Sequence, residues 1–584
     1  MSSSADSTPS DIGLGAMRSE GSAHLPPFER LRRLAALEQS DVTVVVIYAV
    51  GIGLVSLAVP IAAQSLVNTV AFTALVQPIV VLSVLVLVGL FAAGLLRTLQ
   101  YKVVETLQQR FFVRTTHDAV QRLTQADIAN FRDVGAPEMM NRFFDVPIIQ
   151  KAAASLLLDT LSVVLQGAVS LLLLAFYHPA LLAFDIVLIA LIAFTLLGLG
   201  RDGVPTAIKE SKAKYATAAW LEEMAGALRS FKSEESAAFA FQQADNLARR
   251  YVETRRKHFK VLLRQTIASY TLQAVATAAL LGLGGSLVIN GQLTLGQLVA
   301  AELVVTGVLA SVAKFGKYLE TYYDICASLD KVGHIVDLSS ERAGGIVLTP
   351  STEPARLSLE GVTFAYDDRS ETLRDVSFEL GAGTSLAILG SEASGKSTLV
   401  DVLYGLRAPS HGQVLLDGAD VRTLALKSLR RNVVLVGSGE IFDGTVLENL
   451  LLGREQVEGV GVSEALTLVA LSEDIAELPQ GTLTRLGHAG SRLSSTQAAR
   501  LAIARGILCE PRLLIIDETL DGLATETVER ILRGLTSKHG ATSVLVFTSR
   551  EEVARAVGAF VRLDRGTTSR VVTPSEHERK GGGR

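Results

Sequence analysis

The sequence contains very little cysteine. Cys326 and Cys509 are the only two cysteines among 584 residues, and they lie far apart in the chain. A disulfide framework or a cysteine metal cluster needs more thiols at closer spacing, so both are excluded. Two isolated thiols are typical of ordinary buried side chains.

Lysine and arginine are absent from three long stretches, residues 34–96, 152–200 and 265–313. Each stretch is long enough for two apolar spans of about 20 residues and a short turn. Apolar residues make up 49% of the chain and charged residues only 20%, a mixture too apolar for a wholly soluble protein. The pattern predicts six membrane helices in three hairpins, over residues 42–66, 78–99, 153–176, 180–200, 266–289 and 295–317.

Charged residues are concentrated between these hairpins. Segments 97–151 and 201–264 carry both signs of charge, including the cluster "RRYVETRRKHFK". The positive-inside rule places such segments in the cytoplasm, and both chain ends with them. The alternative, buried core helices of a soluble protein, is disfavoured because it would not produce three separate long gaps in basic charge.

The two ends of the chain are polar. Residues 1–27 are rich in Gly, Ser and Pro and lack the basic start and apolar core of a signal peptide, so they are predicted to be a disordered cytosolic tail, as are residues 567–584. The stretch "FERLRRLAAL" at 28–37 has an apolar and a basic face. It is either a helix lying along the inner membrane surface or an ordinary surface helix.

The pattern changes in the last third of the chain. Strands such as "LSLEGVTFAY" and "TSLAILG" alternate there with amphipathic helices, as in α/β nucleotide-binding domains. The predicted fold is therefore an all-α six-helix membrane domain over residues 28–330, a linker over 331–355, and an α/β P-loop nucleotide-binding domain over 356–566. The net charge of −4 averages unlike halves, and no nucleic-acid partner is predicted.

The stretch "GSEASGKST" lies between the apolar strand "TSLAILG" and the helical "LVDVLYGLRA". Strand, glycine-rich loop and helix form the context of a P-loop, in which backbone amides and the helix start face phosphate oxygens. Lys396 is expected to reach the β and γ phosphates, and Ser397 to bind Mg²⁺. The predicted ATP-binding residues of the loop are Gly390, Ser391, Glu392, Ala393, Ser394, Gly395, Lys396, Ser397 and Thr398.

A second strand, in "RLLIIDE", ends in two acids. Asp517 is expected to support the Mg²⁺ ion, and Glu518 to orient or deprotonate an attacking water as the catalytic base. A strand-end acid pair on its own is more typical of a helix cap. Beside a P-loop, the catalytic interpretation is favoured.

Together these residues resemble an ATP-binding cassette transporter half of the exporter type, with six membrane helices fused to one ATPase domain. The resemblance rests also on "GVTFAYDD", "GTVLENL" and "GHAGSRLSSTQAARLAIARGIL". It implies that Tyr366 stacks on adenine. It also implies a dimer with a second half-transporter, in which Ser494 and Gln497 of the signature segment face the ATP held by the partner's P-loop.

The sequence departs from the family pattern at the ATPase motifs. Gly437 stands where the family has the Q-loop glutamine, and Ser549 where it has the switch histidine. The signature reads "LSSTQ" in place of LSGGQ, and Ala524 occupies the D-loop aspartate position. Loss of a proton-handling group can slow a reaction about 10²- to 10⁴-fold. The chain is thus predicted to bind MgATP and to hydrolyse it slowly.

Three acids fall inside the predicted spans, Asp159, Asp185 and Glu302. An intramembrane carboxylate is costly and faces the bundle interior or a wet cavity. It either contacts a proton or a cationic substrate, or hydrogen bonds between helices. For Asp159, closeness to the cytoplasmic surface is a further alternative.

Two functions remain open on the sequence alone. The first is an ATP-driven transporter subunit, an exporter ATPase in the inner or plasma membrane, whose partners are a second half-transporter, the bilayer and a substrate that the sequence does not identify. The second is a hydrolysis-poor, ATP-binding regulatory subunit of a heterodimeric complex. The altered Gly437 and Ser549 favour the second, and the retained Glu518 favours the first. A soluble cassette ATPase is excluded by the six spans.

Overall fold

The computed structural model describes residues 26, 29–30, 32–33, 36, 38–72, 77–131, 135–313, 315–366, 371–437, 440–454, 459–487, 490, 492–537 and 542–568. The chain forms two compact units, Met1–Ser340 and Glu341–Arg584. The predicted tails, 1–27 and 567–584, lie outside the described residues apart from Pro26 and the short strand Thr567–Thr568.

The described part of the first unit is helical. Its α-helices are α1 (Gln39–Ser56), α2 (Ala58–Phe72), α3 (Gln77–Gln125), α4 (Ala136–Asn141), α5 (Val146–Ser155), α6 (Leu161–Tyr177), α7 (Pro179–Ala193), α8 (Gly203–Gly226), α9 (Glu234–Ile289), α10 (Leu295–Ala313) and α11 (Phe315–Val336). Short 3₁₀ turns lie at Ile128–Phe131, Arg142–Asp145 and Leu228–Phe231, and π-helical turns at Leu156–Thr160 and Phe194–Gly198.

Most of the predicted spans correspond to long apolar helices. Five helical stretches are long and apolar enough to cross a membrane: Gln39–Thr69, Gln77–Gln125, Met139–Tyr177, Pro179–Gly226 and Glu234–Ile289. The sixth predicted span corresponds to a shorter apolar stretch, Leu295–Ser311. Several stretches, such as α3 and α9, run far beyond the membrane thickness because their polar ends continue the same helix.

The outer surface of this unit is apolar. Phe91, Phe176 and Leu197 are 77%, 80% and 78% exposed. Exposing so many large apolar side chains to water costs free energy, whereas contact with lipid does not. Inside the unit, Leu174, Leu181, Leu280 and Leu309 are fully buried in one cluster that joins α6, α7, α9 and α10. This confirms the predicted membrane half.

The last helix of this unit extends into the segment predicted as a linker. Helix α11 continues to Val336 because Val332 and Val336 are both completely buried against the helices of this unit. Residues 331–336 are therefore helical. Just beyond, Asp337 pairs at 2.6 Å with Arg30, which is only 2% exposed. The apolar face of the predicted helix at 28–37 lies outside the described residues.

The second unit is α/β, as predicted. Its strands are β1 (Leu357–Ala365), β2 (Glu371–Leu380), β3 (Ser385–Leu389), β4 (His411–Leu416), β5 (Ala419–Asp420), β6 (Val433–Val436), β7 (Leu513–Asp517), β8 (Ser543–Thr548), β9 (Phe560–Asp564) and β10 (Thr567–Thr568). Its helices are α12 (Lys396–Leu403), α13 (Leu426–Asn432), α14 (Val446–Leu451), α15 (Gly459–Leu468), α16 (Ser472–Ala476), α17 (Ser495–Ile507), α18 (Thr525–Ser537) and α19 (Glu551–Val557).

Two sheets organise this unit. One is a four-stranded antiparallel sheet in the order β2-β1-β4-β5. The other has the order β10-β9-β3-β8-β7-β6, and all its pairs are parallel except β10 with β9. Every residue of β8 is buried, since helices cover both faces of a parallel sheet. Residues that alternate along β8, such as Val546 and Phe547, belong to two different core clusters.

Candidate nucleotide-binding site

The carboxyl ends of four parallel strands meet at one edge of the larger sheet. Strand pairing places the end of β3 beside that of β8, that of β7 beside β8, and that of β6 beside β7. The segments that follow these strands begin at Gly390, Glu518, Ser549 and Gly437, and Asp517 is the last residue of β7. Ligands of parallel α/β sheets bind at this edge, so the topology gathers four sequence-predicted segments at one place.

The loop after β3 has the backbone that a P-loop requires. Gly395 has φ +102° and is the N-cap of α12, and Ala393 also has a positive φ of +60°. A Cβ at Gly390 would lie 2.4 Å from Ser394 Oγ and 2.8 Å from the Leu563 carbonyl oxygen. Glycine is required at both positions. A side chain at Gly390 would collide with its neighbours, and one at Gly395 would strain the backbone.

Lys396 is the buried cation of the loop. It is 5% exposed, and its Nζ donates to the carbonyl oxygens of Gly390 (2.6 Å) and Ser391 (2.7 Å). The same Nζ lies 3.1 Å from Glu518 Oε1. A phosphate oxygen is an acceptor of the same kind, so a triphosphate can take over these bonds without leaving the charge unpaired.

Asp517 is placed to bind a cation. Its Oδ1 is buried with no hydrogen-bond partner among the described residues. The pKa of Asp517 is raised to about 6, mainly by burial and next by the nearby Glu518 carboxylate, while Lys396 opposes the shift. A hard divalent cation with oxygen ligands, such as Mg²⁺, fits this carboxylate and the exposed Ser397 of the loop.

Glu518 is more open than its neighbour. Its side chain is 47% exposed, and its backbone has a positive φ of +54°. The backbone N–H of Glu518 donates to the Phe547 carbonyl oxygen at 3.0 Å, which fixes this turn to β8. The carboxylate therefore reaches solvent beside Lys396, where a water molecule can approach it.

The remaining residues of the loop at 390–398 lie around the side chains of Lys396 and Glu518. Ser391, Glu392 and Ala393 are exposed, whereas Ser394 is 3% exposed and its Oγ has no partner among the described residues. Thr398 is buried in the first turn of α12. The structure thus brings all nine predicted loop residues to the edge of the sheet.

Tyr366 is tied to the loop. Its hydroxyl and Thr398 Oγ1 are 3.0 Å apart. The guanidinium of Arg407 lies 4.8 Å from the centre of the Tyr366 ring, and Phe364 packs edge-on at 4.9 Å. The sequence analysis missed Arg407, although a basic residue directly after the P-loop helix could have signalled a cation–π partner.

A hydrogen-bonded group occupies the position of the switch histidine. Asp521 Oδ2 accepts from both the backbone N–H and the Oγ of Ser549, each at 2.9 Å. Asp521 also accepts from the Thr548 hydroxyl, and its carbonyl oxygen accepts from Arg550 at 2.8 Å. We call Asp521, Thr548, Ser549 and Arg550 the β8 latch. The sequence analysis missed Asp521, because an acid in "TLDGLA" has no local signal for a partner 28 residues away.

The signature segment forms its own helix start. Ser494 caps α17: its Oγ accepts from the Gln497 N–H at 3.2 Å, while Gln497 Oε1 accepts from the Ser494 N–H at 2.8 Å. Gln497 Nε2 also donates to Asp474 at 2.7 Å. In the described part of the chain neither side chain bonds to the loop at 390–398. Contact between these two residues and ATP therefore stays a prediction, in which the ATP is bound by the P-loop of a second subunit.

The other altered positions carry little chemistry. Gly437 has no side chain, and a Cβ built there would meet only Glu440 Oε1, at 3.9 Å. Ser495 and Thr496, which replace the signature glycines, lie in the first turn of α17, where an α-helix accepts any such residue. Ala524 directly precedes α18 and contributes no polar group.

Comparisons with known proteins agree with this architecture. The family profile described as "ABC transporter transmembrane region" matches residues 42–312, and the profile "ABC transporter" matches residues 373–521. A solved structure, "Structure of a bacterial Atm1-family ABC exporter with ATP bound", superposes with a TM-score of 0.83 over 94% of this chain and 97% of that chain, at 21% identity. That likeness shows the fold.

Curated relatives match part of the chain. The ATP-dependent lipid A-core flippase of Chromobacterium violaceum is 31% identical over 295 residues, 50% of each chain. The beta-(1→2)glucan export ATP-binding/permease protein NdvA of Agrobacterium fabrum is 28% identical over 314 residues, 53% of each chain. The chain spans about half the length of the curated relatives it matches.

Proposed function

The chain belongs to the ATP-binding cassette transporter family, as a half-transporter with fused membrane and ATPase regions, and from this premise we propose that it is one half of a dimeric, ATP-driven exporter. The relatives' printed names include a glucan exporter and a lipid A-core flippase. Because these substrates are unlike, the exporter class carries over to this chain and a particular substrate does not.

The observation that carries this proposal is the group formed by Lys396, Asp517 and Glu518 at the edge of a parallel sheet. Lys396 is held by three acceptors that triphosphate oxygens can replace. Ser397 and Asp517 would hold Mg²⁺, which supplies charge neutralisation for the phosphates. Glu518 is then released from Lys396 and can accept the proton of an attacking water.

The proposed ATPase is slow because of the β8 latch. Ser549 has no imidazole group. Its hydroxyl donates to Asp521 within the chain, so it is not a free donor to a γ-phosphate. Gly437 likewise offers no side chain. Loss of one such group can reduce a rate about 10²- to 10⁴-fold, while the groups that bind MgATP are intact.

The dimer is proposed from the signature helix. Ser494 and Gln497 complete the start of α17 with a capping box, which leaves the remaining amides of the first turn and the positive end of the helix dipole available. Such a helix start binds anions. We assign it to the phosphates bound by a second subunit.

A second candidate function is favoured by the same latch. In a heterodimer with a subunit that has an intact glutamine and histidine, the site with this chain's P-loop would contain Gly437 and Ser549. That site would hold ATP, and the opposite site would carry out most of the hydrolysis. The chain would then be an ATP-binding regulatory half.

We also propose that the chain ends, the ATPase region and the polar parts of α3 and α9 lie in the cytoplasm, because of the positive-inside rule. Cysteine labelling in sealed cells tests this orientation. An impermeant reagent is expected to modify Asn290→Cys and not Glu253→Cys, both of which are exposed positions on or next to α9. Labelling of Glu253→Cys from outside would contradict the orientation.

Purification of the full chain in lipid discs tests the dimer. The Glu518→Gln chain is expected to form a homodimer that gains stability with MgATP, because ATP is bound and not consumed. If a different cassette subunit copurifies from the native membrane, the heterodimer is favoured. A chain that remains monomeric with MgATP, and copurifies with no other subunit, would contradict both candidates.

A further inference from the structure

Asp185 is a buried acid in the membrane unit. It lies on α7, four residues after Leu181 and three before Leu188, so the three side chains share one helix face. Leu181 and Leu188 are 0% and 2% exposed, and Asp185 is 3% exposed. Asp185 therefore points into the apolar cluster that contains Leu280 of α9 and Leu309 of α10.

No polar group of the described residues satisfies this carboxyl. Both Oδ1 and Oδ2 are buried without a hydrogen-bond partner. Hydrogen bonding between helices, which the sequence left open for this residue, is therefore not how Asp185 is accommodated. A buried ionised carboxylate without partner or counter-ion costs at least several kcal/mol in an apolar environment.

The helices around α7 provide no counter-ion. Residues 152–200 and 265–313, which contain α6, α7, α10 and the apolar part of α9, have no lysine or arginine. The other ionisable groups there are acids, phenols and one histidine: Asp159, Tyr177, His178, Tyr270 and Glu302. His178 caps α7 with Nδ1 accepting from the Ala180 N–H at 3.1 Å, two turns before Asp185.

Asp159 and Glu302, the other two acids of the predicted spans, differ from Asp185 in exposure and hydrogen bonding. Asp159 is exposed, and Ser155 Oγ donates to its Oδ2 at 3.1 Å, so this carboxyl is neither enclosed nor without a partner. Glu302 on α10 is intermediate: it is partly exposed, and its Oε2 has no partner among the described residues. Of the three acids, Asp185 is the one that is buried and has no hydrogen-bond partner for either oxygen among the described residues.

A proton is the smallest group that can neutralise Asp185 in this packing. An exposed fraction of 3% admits no organic cation, whereas a proton needs no additional space. The end of α7 is also irregular: a π-helical turn follows at Phe194–Gly198, and Gln265 of α9 donates to the Leu196 carbonyl oxygen at 3.3 Å. π-Helical turns are frequent at functional sites, and this one lies where α7 ends beside α9.

We propose that Asp185 is a proton-binding site of the membrane region. Its carboxylic acid keeps the proton while α7 packs against α9 as in this structure, and passes it to water when the seam between the two helices opens. The bond that breaks is the carboxyl O–H, and the proton goes to a water molecule. The opening step rests on the proposed transport function, while the protonated resting state does not.

Infrared spectroscopy of the full chain in lipid discs tests this proposal. At neutral pH without nucleotide, the chain is expected to show an un-ionised carboxylic acid absorption that Asp185→Asn removes and Asp159→Asn leaves unchanged. Aspartate labelled with ¹³C should shift the same absorption, which assigns it to an aspartic acid, while the loss in Asp185→Asn identifies the residue. An absorption that is the same in wild type and Asp185→Asn would overturn the proposal.

The opening step has its own readout. In the Glu518→Gln background, MgATP is expected to reduce the Asp185 absorption by at least half, and alkaline titration should remove it reversibly. If MgATP binds but the absorption changes with neither MgATP nor pH, Asp185 is a fixed structural acid and the proposal is wrong. If MgATP does not bind, the proposed function fails, and the alkaline titration alone decides the inference: reversible loss supports it and no change overturns it.

Discussion

The two units of the chain accommodate buried ionisable groups in opposite ways. In the ATPase unit, Lys396 is 5% exposed and three acceptors surround its ammonium group. In the membrane unit, Asp185 is 3% exposed and has none among the described residues. A buried charge needs partners, so the first group is ready to exchange its partners for a charged ligand, while the second is neutral.

Lys331 lies between these two extremes. It is 6% exposed on α11, donates to the Ser211 carbonyl oxygen at 3.3 Å, and lies over the Tyr215 ring. Burial lowers the pKa of Lys331 to about 7, and the nearby Asp145 opposes this shift. Incomplete pairing thus leaves a lysine that titrates near neutral pH.

The largest expected effect tests the partner of Lys396. Glu518→Gln should reduce the residual ATPase rate about 10²- to 10⁴-fold, because the amide cannot accept the proton of the attacking water. Nucleotide binding should be retained, since Lys396 keeps its other acceptors. Steady-state phosphate release and nucleotide titration measure the two effects, with the exposed Glu477→Gln as the matched control. Equal rates in wild type and Glu518→Gln would remove Glu518 from the mechanism.

Lys396→Ala should weaken MgATP binding about 10- to 100-fold. Charge-assisted hydrogen bonds contribute about 1.5–3 kcal/mol each, and the alanine variant makes none to the phosphates. Calorimetric titration measures the affinity, and Lys427→Ala, an exposed lysine of α13, serves as control. An unchanged affinity would mean that the loop at 390–398 does not hold the phosphates.

Lys331 should make stability depend on pH. Its pKa is about 7 in the folded protein and ordinarily 10.5, so the folded state binds fewer protons between these values. Stability should therefore rise as pH increases from about 7 to 10, with a slope on the order of 1 kcal/mol per pH unit. Lys331→Met should abolish the rise, and the exposed Lys212→Met should not. Thermal unfolding in lipid discs at several pH values measures it; a rise that survives in Lys331→Met would contradict this assignment.

The smallest expected effect concerns Tyr366. Tyr366→Phe removes the hydroxyl that lies 3.0 Å from Thr398 and keeps the ring, so MgATP affinity should fall only about two- to fivefold. Tyr366→Ala removes the ring as well and should cost more. Fluorescent-nucleotide titration of both variants separates stacking from the hydrogen bond. Equal losses in the two variants would show that the ring does not stack on the base.

The sequence predicted those parts of the site that local pattern encodes. The loop at 390–398 and the acid pair Asp517 and Glu518 each directly follow an apolar strand, so strand, turn and helix signals place them without tertiary information. The membrane spans were predictable for a similar reason, since gaps in basic charge are a local property. The length of α11 could not be predicted from local pattern. Burial of Val332 and Val336 continues the helix into residues whose polar neighbours suggest a linker.

Contacts between distant residues could not be predicted. Asp521 and Ser549 are 28 residues apart, and Arg30 and Asp337 are 307 apart. Nothing in one short stretch of sequence states which strand end lies beside another. The partners of Asp185 posed the same problem: the sequence shows an acid in a span, and only the packing of α7 shows that no described group satisfies it.

We expect the β8 latch to leave an ATP site that binds MgATP well and hydrolyses it slowly. The most direct measurement is the steady-state ATPase rate of the purified homodimer beside its Ser549→His form, with Glu518→Gln as the baseline. We expect a slow wild type whose rate still lies above the Glu518→Gln baseline, and a rise of at least about tenfold on Ser549→His, since a proton-handling group is restored. A fast wild-type homodimer whose rate ignores Ser549→His would contradict it.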